Sequence, residues 1–340
     1  MAFLEDFNKI ISSSKNIIIT SHIGSDDDSI ASSLSLYQIL IVRFPDKKFR
    51  VVMTGEKSDR YLSFQSYKDI EFISDLSDGI KEADCLIFLD GCEYARFSKK
   101  PEILSSFTGS KICIDHHASA SDLFDASYID SSATSTSEII YKLFVKSPEN
   151  LSKDTSETLL LGILGDTGYL QYISPNQTGV LEIMASLIKV SGVELQTFKA
   201  SYDLISKRVF ETMQELIKNT VFKSVSNWPN FVYTLLPSEY MKTKNLSDNE
   251  ISDASHLFVD KFPLVIQNYS WGFVITPRSD NTCSISLRSL PASVNVRNVV
   301  EKMDIGGGHD RAAGGVFKET SDPTSCVEKM LTWFANNKLE

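Results

Sequence analysis

The sequence predicts an α/β protein with an N-terminal domain built on a parallel sheet and a smaller mixed α/β C-terminal domain. Short β-branched runs alternate with helix-like stretches through the first half of the chain, which is typical of a parallel sheet with helices on its faces. A length of 340 residues suffices for two domains, and 42% of the residues are apolar, as in a globular chain. We expect a first domain over 1–189, a helical linker over 190–225 and a second domain over 226–340.

The first half contains four strand-like runs, NIIIT (16–20), FRVVM (49–53), CLIFL (85–89) and KICI (111–114). The stretch at 28–44 is helix-like, and the apolar segment TLLLGILG (158–165) is interpreted as a helix rather than a strand. Ligands of parallel sheets bind beyond the carboxyl ends of the strands. The residues that follow each run are therefore the candidates for a functional site.

Aspartates and histidines follow four of these apolar segments, namely His22 with Asp26, Asp27 and Asp28, then Asp90, then Asp115 with His116 and His117, and lastly Asp166. Each aspartate alone is compatible with a helix N-cap, and the three near Ser29 could cap the helix that begins there. Helix capping does not explain why all of these aspartates and histidines are expected at the same edge of one sheet. The pattern therefore favours a metal site.

Three consecutive aspartates, Asp26 to Asp28, need positive charge nearby. Two carboxylates about 4 Å apart repel by roughly 4 kcal/mol at an effective dielectric constant of about 20. Oxygen and imidazole ligands without cysteine suit Mn²⁺, Mg²⁺ or Fe²⁺ better than a structural zinc. The candidate ligands exceed what one ion takes from a protein, so we expect two divalent metal ions, Mn²⁺ foremost, bridged by one carboxylate.

Charge and cysteine content exclude several classes of protein. A net charge of −10 argues against binding to long duplex nucleic acid, which needs a basic face. Five cysteines with no CxxC pair indicate a reducing compartment. The N-terminus lacks the basic region of a signal peptide, and no stretch of 18 apolar residues exists, so we expect a cytoplasmic protein that does not contact a membrane.

The second half of the chain is predicted to contain both strands and helices. Strand-like runs lie at 230–236, 270–277 and 282–289, with a helix-like stretch at 248–262, and the polar–apolar helical pattern at 190–225 carries no site residues. The segment DIGGGHDRAAGG (304–315) contains five glycines and His309. A glycine-rich loop lets backbone N–H groups approach a phosphate, although a tight turn would explain the glycines as well.

Five motifs together resemble the DHH phosphoesterase family. HIGSDDDSIAS, FLDG, CIDHH and GILGDTG are similar to its four motifs in their order, and GGGHDRAAGG is similar to the signature of the type 1 DHH-associated domain. The length resembles that of stand-alone nanoRNases and 3′-phosphoadenosine 5′-phosphate (pAp) phosphatases. The resemblance implies that 1–189 is a DHH catalytic domain and 226–340 a DHH-associated substrate-binding domain.

The resemblance also implies roles for individual residues. His22, Asp26 and Asp90 would hold one ion, and Asp28, His116 and Asp166 the other, with Asp90 between them. His117 would contact the scissile phosphate, and Asp115 would orient a neighbouring histidine. Phosphate of the substrate would be bound in the second domain by Arg288, Gly306, Gly307, Gly308 and His309.

Ser25 stands where the family usually has proline, and three further positions also depart from the family pattern. Asp27 stands where the family has glycine, and we expect it to replace a turn glycine without binding metal. Gly165 stands where relatives often carry threonine, and Leu290 where they often carry a second arginine, for which Arg297 and Arg311 are the candidate substitutes. The changes at Asp27 and Gly165 remove no liganding group, so activity is still expected.

We therefore expect a two-metal phosphoesterase that hydrolyses short oligoribonucleotides (nanoRNA), pAp or both to mononucleotides. The alternatives are a phosphodiesterase for cyclic or linear dinucleotides, such as cyclic di-AMP or pApA, and a nucleotide-binding sensor without catalysis. A small nucleotide or short RNA is the expected partner. The sequence leaves the oligomeric state open, with a homodimer as one option.

Overall fold

The computed structural model describes residues 2–117, 122–202 and 204–338 of the chain. The chain divides into two compact units, Met1–Leu204 and Ile205–Glu340. The segment predicted as a helical linker, 190–225, is shared between the two units, and its role as a linker stays a prediction. Among the described residues, no helix is long and apolar enough to cross a lipid bilayer.

The first unit contains a six-stranded sheet in which all neighbouring strands are parallel, in the order β3-β2-β1-β4-β5-β6. Its strands are β1 Asn16–Ser21, β2 Lys48–Thr54, β3 Ile70–Ile73, β4 Cys85–Leu89, β5 Ser110–Asp115 and β6 Ala126–Ile129. Its helices are α1 Ala2–Ser13, α2 Asp27–Arg43, α3 Leu76–Gly79, α4 Tyr94–Phe97, α5 Pro101–Ser105, α6 Thr136–Phe144, α7 Lys153–Asp166, α8 Gly179–Ser191 and α9 Leu195–Tyr202.

Strand β1 is apolar at successive positions because both faces of the sheet are covered. Ile17 and Ile19 belong to the larger core on one face, and Ile18 belongs to a smaller core on the other face. Every residue of β4 is buried in the same way. Near-continuous apolar runs of this kind are the signature of a parallel sheet with helices on both faces.

Helices α2 and α7 place the site residues of the first unit at the carboxyl edge of the sheet. Asp26 caps α2 by accepting a hydrogen bond from the Ser29 N–H at 3.0 Å, and the helix ends before Pro45, which disfavours helical geometry in the preceding residue. Ser152 caps α7, which ends at Asp166. The helical interpretation of 158–165 is confirmed.

The second unit contains a mixed sheet in the order β11-β12-β10-β9-β8-β7, in which only β8 and β9 are parallel neighbours among the described strands. Its strands are β7 Val221–Lys223, β8 Phe231–Leu235, β9 Trp271–Pro277, β10 Cys283–Ser289, β11 Gly306–Gly308 and β12 Ala312–Phe317. Its helices are α10 Lys207–Lys218, α11 Ser238–Lys244, α12 Asp248–Val259, α13 Phe262–Val265, α14 Val296–Lys302 and α15 Pro323–Asn336.

The predicted fold class is confirmed. The prediction of a loop over the glycine-rich segment is wrong for its glycines, which lie in two paired strands, whereas residues 309–311 form the turn between them. Gly306–Gly308 form strand β11, which pairs with β12. A Cβ atom on Gly306 would lie 2.0 Å from the Gly314 carbonyl oxygen, so the two backbones approach more closely than other residues permit. Part of the glycine content therefore serves strand packing.

Candidate metal centre

The order of the strands in the first sheet creates the place for a site. From β1 the chain continues to β2 and β3 on one side of the sheet, and from β4 it continues to β5 and β6 on the other side. The connections therefore diverge between the neighbouring strands β1 and β4. In open α/β sheets, ligands bind at such a point, outside the carboxyl ends of the strands. His22 follows β1 and Asp90 follows β4. Both residues therefore lie where the topology predicts a ligand.

The structure brings together the six residues expected to bind metal. Potential ligand atoms of His22, Asp26 and Asp90 form one group within 4.8 Å of one another, and those of Asp28, His116 and Asp166 form a second such group. His22 Nε2 lies 3.3 Å from Asp90 Oδ2, and His116 Nε2 lies 3.5 Å from Asp90 Oδ1. The two oxygens of Asp90 thus face different groups, as a bridging carboxylate requires.

Asp90 has an unusual backbone conformation. Its φ is 59°, in the left-handed region that few residues other than glycine adopt. Its N–H donates to the Ile114 carbonyl oxygen at 3.1 Å, and the residue is 2% exposed. Strained conformations persist where the surrounding structure enforces them, and they cluster at functional sites.

Two hydroxyl groups that the sequence analysis did not single out contact the Asp90 carboxylate. Ser29 Oγ donates to Asp90 Oδ2 at 3.0 Å and lies 2.8 Å from His22 Nε2. Thr136 Oγ1 donates to Asp90 Oδ1 at 3.3 Å. Both residues are fully buried. For Ser29, the available signal was its position directly after the aspartate run. For Thr136, it was its place in the Ser/Thr-rich segment ATSTSE.

The first turn of α6 holds Asp28. The backbone N–H groups of Thr136 and Ser137 donate to its two carboxylate oxygens at 2.7 and 2.9 Å. Ser135 caps this helix through the Glu138 N–H, as its Ser-x-x-Glu pattern indicates. The positive end of the helix dipole favours a carboxylate at this place. The N-terminus of α6 is therefore capped by Ser135 and also holds the Asp28 carboxylate in position.

Asp27 does not lie in a turn, so that part of the expectation is wrong, whereas its exclusion from the metal ligands stays a prediction. It is the first residue of α2 and is not among the residues with positive φ. Arg60 Nη2 and the Tyr61 hydroxyl both donate to its carboxylate at 2.8 Å. A Cβ atom on Gly165 would lie 2.5 Å from the Asp27 Cβ, so the glycine makes room for the aspartate. The two departures from the family pattern are complementary.

His117 and Asp115 lie beside the bridging aspartate. His117 Nδ1 lies 2.7 Å from Asp115 Oδ1 and 3.6 Å from Asp90 Oδ1. Asp115 is fully buried, and its Oδ2 has no hydrogen-bond partner among the described residues. The side chain of His117 is 21% exposed. Asp115 therefore orients the imidazole of His117 beside Asp90.

The buried charges shift one another's pKa values. Burial would lower the pKa of His22 and of His116, but the neighbouring carboxylates outweigh it, and both pKa values lie well above the usual range. Burial would raise the pKa of Asp90, but hydrogen bonds from His116 and His22 hold it well below the usual value. Burial and the charge of Asp90 raise the pKa of Asp28 to about 7.

The donor set fits divalent cations. Carboxylate oxygens and imidazole nitrogens converge on two neighbouring positions. Among the described residues, no arginine or lysine forms an ion pair with the carboxylates of the two groups, which belong to Asp26, Asp28, Asp90 and Asp166. Such groups suit Mn²⁺, Mg²⁺ or Fe²⁺. The cluster of the first unit is therefore a candidate metal centre, and the assignment of each ligand stays a prediction.

The metal-free protein is expected to lose stability as the pH rises from about 5 to 8, because the folded state holds more protons than the unfolded chain in this range. The raised pKa values of Asp28, His22 and His116 keep these groups protonated in the fold, whereas unfolded aspartate and histidine release their protons near pH 3.9 and about 6.5. Thermal unfolding in chelator across this range measures the effect. A stability that stays constant or rises with pH would contradict this prediction. Added Mn²⁺ should remove the pH dependence because the ligands bind metal in their deprotonated form.

The candidate phosphate-binding residues lie in the second unit. Arg288 Nε pairs with Asp260 Oδ1 at 2.7 Å, and the His309 N–H donates to the Ala312 carbonyl oxygen at 2.8 Å. Gly307 has open space where a side chain would be. Leu290 is exposed.

The two arginines considered as substitutes at position 290 have partners within the second unit. Arg297 pairs with Asp310 at 3.1 Å, and Arg311 Nη1 donates to the Val294 carbonyl oxygen at 3.1 Å. Their role as substitutes stays a prediction.

Comparisons with known proteins agree with the fold and with the resemblance to the DHH family. Residues 16–163 match the N-terminal domain of the DHH family. The chain is 28% identical over 305 residues to a probable bifunctional oligoribonuclease and PAP phosphatase, NrnA, of Streptococcus mutans, covering 88% of both chains. It is 27% identical over 314 residues to the corresponding Bacillus subtilis protein, covering 90% of both. An exopolyphosphatase-related protein of Bacteroides fragilis has a similar structure, with a TM-score of 0.82, 25% identity and coverage of 98% and 97%.

Proposed function

This chain belongs to the DHH family through residues 16–163, and we propose that it hydrolyses short oligoribonucleotides and pAp to mononucleotides. The observation that carries the proposal is the position of Asp90, whose two oxygens face two separate groups of potential ligands. The relatives named as bifunctional oligoribonuclease and PAP phosphatase match nearly the full chain and support this choice of substrates. Burial raises the pKa of the Cys85 and Cys113 thiols, so both thiols are expected to be unreactive.

Two divalent ions, most simply Mn²⁺, are proposed to bind at the centre. His22, Asp26 and Asp90 would hold one ion, and Asp28, His116 and Asp166 the other. When bound, such a pair supplies an activated water and neutralises charge on the phosphate oxygens. Ser29 and Thr136 hold the Asp90 carboxylate in place, and the α6 N–H groups hold Asp28, so the ligands are ordered before any ion binds.

His117 is proposed to contact the scissile phosphate. Its Nδ1 lies 2.7 Å from Asp115 Oδ1, and its Nε2 would bind a phosphate oxygen of the substrate or hold a proton there. An imidazole oriented by a carboxylate keeps one tautomer and one ring position. His117 thereby stabilises the negative charge that develops on the phosphate in the transition state.

A substrate panel tests the proposed activity. Mn²⁺-loaded protein would be incubated with pAp, RNAs of two to five nucleotides, pApA and cyclic di-AMP, and the products would be separated by chromatography. We expect mononucleotides from the short RNAs and AMP from pAp. Turnover of cyclic di-AMP alone would favour the dinucleotide phosphodiesterase, and binding without any turnover would favour a sensor.

The second unit is proposed to bind a further phosphate of the substrate through Arg288, His309 and Gly306 to Gly308. Arg288→Ala should reduce kcat/KM for pApA by an amount equivalent to roughly 1.5–3 kcal/mol, the contribution of a charge-assisted hydrogen bond. Turnover of bis-p-nitrophenyl phosphate, which has no second phosphate, should change little. Binding energy from a remote phosphate positions the scissile bond, so both KM and kcat are expected to respond.

The matched control for this prediction is Arg278→Ala. Arg278 also lies in the second unit and also pairs with an aspartate, Asp280, at 3.6 Å, so the same chemical change is made away from the proposed residues. It should leave both substrates unaffected. Equal losses of Arg288→Ala on pApA and on the model ester would mean that Arg288 supports the fold instead.

A further inference from the structure

Arg96 lies next to two segments that carry candidate metal ligands. It belongs to the short helix α4, six positions after Asp90. Its carbonyl oxygen accepts a hydrogen bond from the Ile23 N–H at 2.7 Å, directly after His22. Its backbone is therefore tied to the loop that follows β1, while its own helix follows β4.

The guanidinium of Arg96 lies beside the residue that follows Asp90. Arg96 Nη1 is 3.5 Å from the point where a Cβ atom on Gly91 would lie. Gly91 is buried, and Arg96 is half-buried. The guanidinium thus lies against the backbone at the carboxyl end of β4, at the edge of the candidate metal centre.

Arg96 is a half-buried cation whose guanidinium has no hydrogen bond or ion pair with any residue that the structure describes. Two of the other arginines of the first unit are paired, and Arg43 is exposed. Arg60 contacts Asp27 at 2.8 Å, and Arg50 contacts Glu71 at 2.6 Å. A guanidinium has five N–H donors, and partial burial without acceptors is costly. An anion that arrives with the substrate would satisfy these donors.

The charge balance of the candidate metal centre also favours an anionic ligand for Arg96. Asp26, Asp28, Asp90 and Asp166 carry four negative charges when ionised, which equal the positive charge of two divalent ions. The ligands would therefore cancel the charge of the two ions, and little positive charge would remain to attract a phosphate group. Because the chain has a net charge of −10, a fixed cation nearby matters for anion affinity.

We propose that Arg96 binds a phosphate oxygen of the substrate at the metal centre. This inference rests on the proposed function, since it identifies a further contact for the same phosphate ester. The planar guanidinium presents paired N–H donors that match two oxygens of a phosphate. The backbone bond to Ile23 fixes α4 so that the guanidinium stays at this edge.

Phosphate affinity tests the inference without turnover. Inorganic phosphate would be titrated calorimetrically into Mn²⁺-loaded wild type, Arg96→Ala, Arg96→Lys and the control Arg50→Ala. We expect Arg96→Ala to weaken phosphate binding at least tenfold, Arg96→Lys to retain part of the affinity, and Arg50→Ala to stay within twofold of wild type. Mn²⁺ affinity should be unchanged in all of them, and KM for pApA should rise in Arg96→Ala.

Three results would overturn the inference. They are an unchanged phosphate affinity in Arg96→Ala and Arg96→Lys, a loss of Mn²⁺ binding in Arg96→Lys, and a wild-type protein that binds no phosphate at millimolar concentration. Failure of the proposed function looks different. A wild type that cleaves none of the nucleotides would overturn that function, while an Arg96-dependent phosphate affinity would still support the assignment of Arg96.

Discussion

Asp90→Ala is expected to abolish hydrolysis and to lower metal occupancy at both positions of the centre. The Asp90 oxygens face His22 on one side and His116 on the other, so one substitution removes a ligand from each group. Loss of an outer partner of a metal ligand already costs about 10- to 100-fold in activity or affinity, and loss of a shared ligand should exceed this. Metal content by mass spectrometry and kcat on pApA measure the effect.

Asp84→Ala is the matched control for Asp90→Ala. Asp84 lies at the other end of β4, where its carboxylate accepts hydrogen bonds from the Lys15 and Asn16 N–H groups at 2.8 and 3.0 Å. The same chemical change at the opposite edge of the sheet should leave metal content and kcat close to wild type. If Asp90→Ala retained both ions, the bridging assignment would be wrong.

Removal of metal is expected to eliminate activity, and Mn²⁺ should restore it more effectively than Ca²⁺. Two imidazoles are among the expected ligands of the centre, and Ca²⁺ prefers six to eight oxygen ligands, whereas imidazole suits transition metals. Chelated protein would be desalted, its metal content verified, and its turnover of pAp measured with each ion added back.

Metal should also raise the thermal stability of the protein. A ligand at 100 times its Kd raises the free energy of unfolding by about 2.7 kcal/mol, so the midpoint of unfolding should increase with Mn²⁺ concentration. Full turnover in excess chelator, with negligible residual metal, would exclude the two-metal proposal. Wild-type protein titrated with Zn²⁺ in parallel would show whether the response is particular to Mn²⁺.

Local sequence pattern was sufficient to predict much of the first unit. Strands β1 and β4 were recognisable because both faces of a parallel sheet are buried, which makes successive residues apolar. The chain direction then implied that His22 and Asp90 share one edge. The apolar run at 158–165 was interpreted as a helix, and it forms the C-terminal part of α7.

Short edge strands were not predicted. β3 and β6 have four residues each and lie at the two edges of the sheet, where burial is incomplete and the apolar signal is weak. β11 consists of three glycines, a composition that indicates a turn when neighbours are ignored. Only its pairing with β12 makes it a strand.

The sequence by itself determined the fold class of the protein and the set of residues that meet at the carboxyl edge of the sheet, because hydrophobic periodicity and strand direction are local properties. The tertiary structure decided how those residues are held. Thr136 and Ser137 lie more than 100 positions from Asp28 in the chain, and Arg60 and Gly165 surround Asp27 from separate elements. Such contacts depend on how helices pack, and no local pattern encodes packing between distant segments.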